Sequence, residues 1–178
     1  VGRLREALCR INKDIPEGAI EEAVKKVLRA TSQNLVADNQ AFHDLLVNGV
    51  SVQYKRKDGT IKDELVWLID FNEINDKNNS NNEFLAVNQF TIIEDRINRR
   101  PDVILFVNGL PLVLMELKNP ADEKATIWSA YEQLQTYKKQ IPSIFRYNEI
   151  LVISDGLEAR AGTLTSKTER FTPWKTIN

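Results

Sequence analysis

The sequence predicts the α/β class, with a mixed sheet flanked by helices, and three observations support this prediction. Apolar residues in the first 48 positions have helical spacing. From residue 50 onward the apolar residues alternate or form continuous runs, as in strands. Two apolar runs joined by a turn are then followed by a helical pattern and one more apolar run. That order is typical of a helix that returns the chain to the same sheet.

The N-terminal part, residues 1–48, is predicted to be helical. Apolar residues recur at helical spacing in IPEGAIEEAVKKVLRA, and Pro16 with Glu17 suits the first turn of this helix. A second, shorter helix is expected from Leu35 to Val47, where Asn48-Gly49 ends it.

Residues 50–155 are predicted to form the sheet. VSVQY alternates apolar and polar residues, and Asp58-Gly59 after it is typical of a hairpin. The apolar runs LVWLIDF (65–71) and FLAVNQFTII (84–93) predict two further strands. The asparagine-rich segment between them, residues 72–83, is expected to be a surface loop.

The second half of this region predicts a hairpin, a helix and a strand. In RPDVILFVNGLPLVLMELKNP, two apolar runs flank NGLP, which has turn composition. A helix is expected from Ala121 to Gln140. Its predicted apolar stripe consists of Trp128, Tyr131, Leu134 and Tyr137. EILVIS (149–154) then predicts a buried strand, and Asp155-Gly156 turns the chain.

Length and composition exclude several classes of protein. With 178 residues, a single domain covering residues 1–178 is expected. A single cysteine (Cys9) cannot form a disulfide within the chain, which suits a reducing compartment. Together with a single histidine (His43), it cannot form a His/Cys zinc site. No apolar run is long enough for a membrane helix. A net charge of −1 is unusual for a protein that binds nucleic acid without help.

Three charged residues stand at the ends of the predicted hairpin: Asp102, Glu116 and Lys118. Glu116 and Lys118 are two apart, so in a strand their side chains share a face. A register with Ile104 opposite Glu116 also places Asp102 on that face, opposite Lys118. A one-residue slip would instead bury an unpaired acid in the core, so we favour the first register.

Two carboxylates beside a lysine suit a divalent cation and a positioned water molecule. The backbone carbonyl of Leu117 could add a ligand, and Lys118 could orient the water or stabilise charge on a phosphate. The alternative is an ion pair between Glu116 and Lys118 on a strand edge. The acid-x-Lys pattern is weak by itself, because residues 122–124 also match it.

The motif RPD…ELK resembles the PD-(D/E)xK nuclease superfamily, with thirteen residues between Asp102 and Glu116. More narrowly, RRPDVILFVNGLPLVLMELKNP and AYEQLQTYKKQIPSIFRYNEILVISDG resemble the N-terminal nuclease domain of type I restriction endonuclease R (motor) subunits, HsdR. The resemblance covers Ile92 to Trp174 well and the first 90 residues in outline. It implies a restriction-endonuclease-like fold and Mg²⁺-dependent cleavage of double-stranded DNA, with Mn²⁺ as a possible substitute.

The resemblance also assigns roles to individual residues. It implies that Asp102 and Glu116 bind the metal and that Lys118 is the catalytic lysine. Gln133 and Tyr137 match the QxxxY motif that some nucleases of this superfamily carry. The alternative for these two residues is a packed helix face, with Tyr137 in the core.

The family often has another acid on an early helix, and Glu21 or Glu22 could fill that place. Adjacent acids on an amphipathic helix are otherwise expected to face solvent. The basic residues Arg99, Arg100 and Lys138 are candidate DNA contacts, although such clusters are often simply solvated.

The resemblance implies a longer protein with other partners. These residues contain no phosphate-binding motif GxxxxGK followed by Ser or Thr, so ATP is expected to bind only in motor domains elsewhere. The family's partners are the methyltransferase and specificity subunits, and its location is the prokaryotic cytoplasm. Two rival hypotheses are a non-catalytic module that clamps DNA and a helicase-fused exonuclease of the same superfamily.

Overall fold

The computed structural model describes residues 1–72, 80–121 and 126–174. The chain divides into two compact units. The first unit comprises residues 1–85 and 107–110, and the second comprises residues 86–106 and 111–178. The expectation of one domain over residues 1–178, made from chain length, stays a prediction.

Three helices open the first unit. They are α1 (Gly2–Ile11), α2 (Glu17–Leu28) and α3 (Leu35–Asn48). Helix α2 starts directly after Pro16. The side chain of Asn34 caps α3 by accepting hydrogen bonds from two backbone N–H groups, and Gly49 ends it with a φ of +79°. Both predicted helices are therefore confirmed, and α2 packs on α1.

A β-hairpin follows α3 in the first unit. It pairs β1 (Val50–Lys55) with β2 (Ile61–Val66) in antiparallel register. The predicted strand over residues 65–71 is wrong in extent, because β2 ends at Val66. The buried side chain of Asn12 accepts a hydrogen bond from the N–H of Trp67 at 2.8 Å and donates one to its C=O at 2.9 Å. These bonds occupy the backbone groups that would have continued the strand.

Eight strands follow in chain order in the described residues. They are β3 (Phe84–Asn88), β4 (Ile92–Glu94), β5 (Ile97–Arg99), β6 (Val103–Val107), β7 (Leu110–Leu117), β8 (Ile150–Ser154), β9 (Ala159–Gly162) and β10 (Thr172–Pro173). Six of them form a sheet in the order β10-β9-β8-β7-β6-β3. Strands β7 and β8 are parallel, whereas β9 is antiparallel to β8 and to β10. The mixed sheet is thus confirmed.

The small hairpin β4–β5 was not predicted. FLAVNQFTII was expected to be one strand, but Gln89 has a φ of +52°, which interrupts the extended backbone and separates β3 from β4. Strands β4 and β5 pair with each other, with Ile92 opposite Arg99.

Helix α4 (Ile127–Gln140) carries the chain between the parallel strands β7 and β8 and packs on β8; the short α5 (Pro142–Phe145) follows it. The predicted start at Ala121 is wrong, because Ala121 lies in a turn and Thr126 caps the helix; residues 122–125 lie outside the described ranges. The buried stripe consists of Ile127, Ala130, Leu134 and Tyr137. Trp128 is 39% exposed, so the predicted stripe is wrong at the first turn of α4. Across the described parts of the chain, no helix is both long and apolar enough to cross a membrane.

The turn between β6 and β7 is formed by Asn108 and Gly109, with φ values of +54° and +79°. Both angles suit the two-residue turn that favours Asn-Gly in hairpins. The predicted register, with Ile104 opposite Glu116, needs a turn centred on Leu110. The predicted position of the turn is therefore wrong.

We expect the side chain of Asn108 to be a major source of stability in the first unit. It is fully buried and accepts a hydrogen bond from the N–H of Glu83 at 2.8 Å. It also donates to the C=O of Leu68 at 2.8 Å and to the side chain of Asn82 at 3.0 Å. Asn108→Ala should lower the free energy of unfolding by about 3 kcal/mol, at about 1 kcal/mol for each lost bond.

Asn108→Gly is the matched control, because glycine tolerates the positive φ but removes the same hydrogen bonds. Urea unfolding should rank the wild type above Asn108→Gly, and Asn108→Gly above Asn108→Ala. An alanine variant as stable as the wild type would contradict this account of the turn.

Candidate active site

Asp102 and Glu116 come together where β6 begins and β7 ends. Asp102 directly precedes β6, and its Oδ2 accepts a hydrogen bond from the N–H of Leu117 at 2.9 Å. This bond ties Asp102 to the residue after Glu116. The two predicted acids are therefore neighbours, although the turn that connects their strands differs from the predicted one.

Glu116 is a buried carboxylate with one oxygen unused. The residue is 1% exposed, and its Oε1 accepts a hydrogen bond from Nζ of Lys118 at 3.1 Å. Its Oε2 is buried and has no hydrogen-bond partner among the described residues. Burial, with a further contribution from the charge of Asp102, raises the pKa of Glu116 to about 7, although Lys118 acts in the opposite direction.

Lys118 links this carboxylate to helix α4. Its ammonium donates to Glu116 and also to Oε1 of Gln133. Its backbone N–H donates to the C=O of Ser154 at 2.8 Å, which fixes the residue at the end of the parallel pair β7–β8. The lysine side chain is 18% exposed, so the contact with Glu116 is largely shielded from water.

Gln133 and Tyr137 extend the same network. They lie four residues apart on one face of α4, and Nε2 of Gln133 donates to the Tyr137 hydroxyl at 2.6 Å. Tyr137 is buried, and burial raises the pKa of its hydroxyl. A continuous chain of hydrogen bonds thus runs from Glu116 through Lys118 and Gln133 to Tyr137. Tyr137 belongs both to the core and to this network, so the two sequence alternatives do not exclude each other.

A cleft of about 700 Å³ lies beside the network. It is lined by Asn98, Arg99, Arg100, Glu132, Gln133, Thr136 and Tyr137. Arg99 is half-buried, and its Nε donates to Oε1 of Gln140 at 2.6 Å. Arg100 is exposed and makes no ion pair with any residue that the structure describes. Two of the three predicted basic contacts therefore border the cleft.

Lys138, the third predicted basic contact, is not among the residues that line this cleft. Its ammonium donates to the C=O of Leu164 at 2.7 Å and to Gln135 at 3.3 Å. Burial lowers its pKa to about 8. These contacts hold the Lys138 ammonium in place, and its role as a DNA contact stays a prediction.

The two acids proposed from the early helix both lie on α2, in the first unit. Glu21 forms an ion pair with Arg5, which lowers the pKa of its carboxyl, and Glu22 pairs with Lys26 at 2.6 Å. Each carboxylate therefore already has a cationic partner, and a metal-binding role for Glu21 or Glu22 stays a prediction.

Sequence reasoning missed two glutamines that hold the predicted residues in place. Nε2 of Gln89 donates to Oδ1 of Asp102 at 2.7 Å, and its backbone N–H donates to the C=O of Asp102 at 2.9 Å. Oε1 of Gln140 accepts a hydrogen bond from Nε of Arg99 at 2.6 Å. Neither glutamine belongs to a recognisable motif, because each acts through a contact far away along the chain.

The donors at Asp102 and Glu116 fit a hard divalent cation. A buried carboxylate with an unpaired oxygen is costly unless a positive charge compensates it. In the described residues, no three His, Cys, Asp or Glu side chains form a cluster that could hold a metal by themselves. Two carboxylates completed by a backbone carbonyl, waters and substrate oxygens are nevertheless an arrangement that suits Mg²⁺.

The raised pKa of Glu116 predicts a pH dependence of metal binding. Below pH 7 the carboxyl is mostly protonated, so a bound ion must displace about one proton. We expect the affinity for Mn²⁺ to increase up to about pH 7 and then to level off, as proton release ceases. Calorimetric titrations in buffers of different ionisation enthalpy measure the protons released. A proton release that is unchanged across pH 7 would contradict this prediction.

Comparison with known proteins supplies independent information. Residues 1–170 match the family model for the type I restriction enzyme R protein N terminus. The chain is 45% identical to the type I restriction enzyme HindI endonuclease subunit of Haemophilus influenzae over 179 residues, which covers 100% of this chain and 16% of that protein. The match extends into the first 90 residues, where the sequence resemblance held only in outline.

Two other relatives show the same pattern. The putative type I restriction enzyme MjaIXP endonuclease subunit of Methanocaldococcus jannaschii is 35% identical over 98% of this chain and 16% of its own length. The type I restriction enzyme SauCOLORF180P endonuclease subunit of Staphylococcus aureus is 40% identical over 44% of this chain and 8% of its own length. The chain thus spans about one sixth of the length of the first two relatives.

Proposed function

Because this chain belongs to the family of type I restriction enzyme R protein N-terminal regions, we propose that it is a nuclease domain that cleaves double-stranded DNA with Mg²⁺. The reaction is hydrolysis of phosphodiester bonds within the duplex, and Mn²⁺ is expected to substitute for Mg²⁺. The single observation that carries the proposal is the buried, unpaired Oε2 of Glu116 beside Asp102. A structural ion pair has no need of a vacant carboxylate oxygen, whereas a metal site does.

Some groups of the site would bind the cation, and others would hold the catalytic lysine in position. Asp102, Glu116 and the backbone carbonyl of Leu117 would hold the cation. When bound, a divalent cation polarises the phosphate and lowers the pKa of a water molecule. Lys118, already hydrogen-bonded to Glu116, stabilises negative charge on the phosphate or orients the water. Gln133 holds the lysine ammonium in that position.

The remaining contacts place the substrate. Tyr137 fixes the orientation of Gln133 through a hydrogen bond of 2.6 Å. Arg99 and Arg100 line the same cleft as Gln133 and Tyr137, and a DNA backbone would pass there. Arg100 would contact a phosphate, whereas Arg99 is held by its hydrogen bond to Gln140. Phosphate contacts of this kind provide affinity without reading the base sequence.

The rest of the subunit would supply other activities. We propose that ATP-driven translocation resides in the other five sixths of the polypeptide, by comparison with the length of the relatives. Target recognition would come from the specificity subunit and protective methylation from the methyltransferase subunit. The near-neutral charge of this chain suits such a division, since other parts would provide most of the DNA affinity. We expect the complex to act in the cytoplasm.

A covalently closed circular DNA tests the proposal against its rivals. With Mn²⁺ present, the wild-type chain at high concentration should nick or linearise the circle, and Asp102→Asn should leave it intact. An exonuclease would degrade linear DNA but spare the circle. A clamping module would bind DNA and cut neither form, and either outcome would contradict the proposed function.

A further inference from the structure

The hairpin β4–β5 has a turn with an unusual residue. The turn consists of Asp95 and Arg96, with φ values of +48° and +69°. Two-residue hairpin turns need positive φ at both positions, and glycine is strongly favoured at the second. An arginine there is strained, because its Cβ is crowded in the left-handed region. Backbone strain of this kind is often retained for a functional side chain.

Both strands of the hairpin form hydrogen bonds with helices of the second unit, β4 with α5 and β5 with α4. On β4, Oε2 of Glu94 accepts hydrogen bonds from the hydroxyl of Ser143 at 2.6 Å and from its N–H at 3.2 Å. On β5, Arg99 donates to Gln140 at 2.6 Å. The hairpin is therefore held in one orientation before any ligand binds, which lowers the entropy lost on binding.

The arginines of this segment carry uncompensated charge. Arg96 and Arg100 are both exposed, and neither has an ion-pair partner among the described residues. Arg100 lines the cleft that contains Gln133 and Tyr137, and Arg96 stands at the tip of the hairpin. Glu132 lines the cleft and Asp95 stands beside Arg96 in the turn, and both oppose the binding of an anion, so the two guanidinium groups must outweigh them.

Arg96 and Arg100 stand at opposite ends of strand β5. A strand advances by about 3.3 Å per residue, so the four residues from Arg96 to Arg100 span roughly 13 Å. A bound duplex presents one phosphate about every 3.4 Å of axis along each strand. The two arginines would therefore contact different phosphates of the same backbone.

We propose that the β4–β5 hairpin is a clamp for the DNA backbone beside the metal site. Arg100 binds a phosphate next to the cleft, and Arg96 binds one farther along the duplex. Arg99 is a positioning residue that holds the hairpin against Gln140. This inference rests on the proposed function, because it assumes that the cleft receives DNA.

The salt dependence of DNA binding tests the clamp. Binding of a short duplex of random sequence would be followed by fluorescence anisotropy in Ca²⁺ over a range of salt concentrations. Each phosphate contact contributes about 0.9 to the slope of log affinity against log salt, so the double variant R96A/R100A should lower the slope by about 1.8. The matched control is K167A/R170A, which removes two exposed basic residues of the same unit that do not line the cleft. The control should keep the wild-type slope.

Two single variants separate a binding role from a structural one. Arg96→Gly should raise the melting temperature by relieving the turn, yet weaken DNA binding. If Arg96 were only a turn residue, the glycine variant would bind DNA as well as the wild type, which would overturn its assignment. Gln140→Ala removes the hydrogen bond that holds Arg99, so it should weaken DNA binding. The slope of log affinity against log salt should stay unchanged, because no phosphate contact is removed.

Failure of the clamp and failure of the proposed function give different results. If R96A/R100A keeps the wild-type slope while the wild type binds Mn²⁺ and cuts DNA, only the clamp is overturned. If a folded wild type binds no Mn²⁺, with or without a DNA duplex, the nuclease proposal itself fails. If the wild type does not bind the duplex even at low salt, both are overturned. R96A/R100A should bind Mn²⁺ in the absence of DNA as tightly as the wild type.

Discussion

Glutamine in place of Glu116 is expected to abolish DNA cleavage and, at the same time, to make the metal-free chain more resistant to unfolding. The amide keeps the shape of the side chain but cannot offer an anionic oxygen to a cation. Mutation of a residue that only hydrogen-bonds to a metal ligand typically lowers activity by about 10- to 100-fold. Loss of a ligand itself should therefore lower the rate of cleavage by more than about 100-fold. Cleavage of closed circular DNA in Mn²⁺ measures this loss.

The gain in stability follows from the pKa of Glu116. The folded chain holds the carboxyl at a pKa of about 7, whereas the ordinary value in an unfolded chain is 4.5. Between pH 4.5 and 7 the Glu116 carboxyl is mostly ionised in the unfolded chain but mostly protonated in the folded chain. The free energy of unfolding therefore falls as pH rises through this range. At pH 8 this penalty is complete and corresponds to about 3 kcal/mol, which is the largest gain that Glu116→Gln can give.

Glu169→Gln is the matched control for this experiment, because Glu169 is an exposed carboxylate of the same unit. It should change neither cleavage nor the free energy of unfolding. A Glu116→Gln variant that still cleaves DNA would contradict the assigned metal site. A variant that loses both cleavage and stability would show that Glu116 mainly supports the fold.

Methionine in place of Lys118 is expected to remove cleavage while leaving the metal site able to bind Mn²⁺. The unbranched side chain fills similar space but cannot stabilise charge on a phosphate or hold a water molecule. Loss of a charge-stabilising group aimed at the reacting atoms costs about 100- to 1,000-fold in rate. Single-turnover cleavage of a saturating DNA duplex measures this step.

The titration of Mn²⁺ into Lys118→Met is best done at pH 8. Lys118 lowers the pKa of Glu116, so its removal should raise that pKa further, and a basic buffer keeps the carboxylate available. Lys167→Met, at an exposed lysine of the same unit, is the control and should cleave normally. Cleavage by Lys118→Met at the wild-type rate would contradict a catalytic role.

The residues of the site were predictable because each belongs to a short pattern. Pro101-Asp102 and Glu116-x-Lys118 fall at the ends of two apolar runs, where charged residues stand out. Gln133 and Tyr137 are about one helical turn apart, so they share a face wherever the helix begins and ends around them. Such patterns depend only on the spacing of residues along the chain, so they remain valid even where the predicted strand boundaries are wrong.

Elements that depend on distant contacts were not predictable. The strand β2 ends at Val66 because Asn12, far away along the chain, bonds the backbone of Trp67. The turn of the β6–β7 hairpin falls on Asn108 because its buried side chain bonds three partners from other segments. A wrong turn position nevertheless left Asp102 beside Glu116, since a hydrogen bond to Leu117 rather than strand register brings them together.

The most direct test of the metal site is a calorimetric titration of Mn²⁺ into this chain at pH 8, with Asp102→Asn and Glu116→Gln measured alongside. We expect one bound ion for the wild type and no measurable binding for either variant, with all three proteins folded. Equal binding by the three proteins, or no binding by a folded wild type with or without a DNA duplex, would contradict the assignment of Asp102 and Glu116 as a metal site.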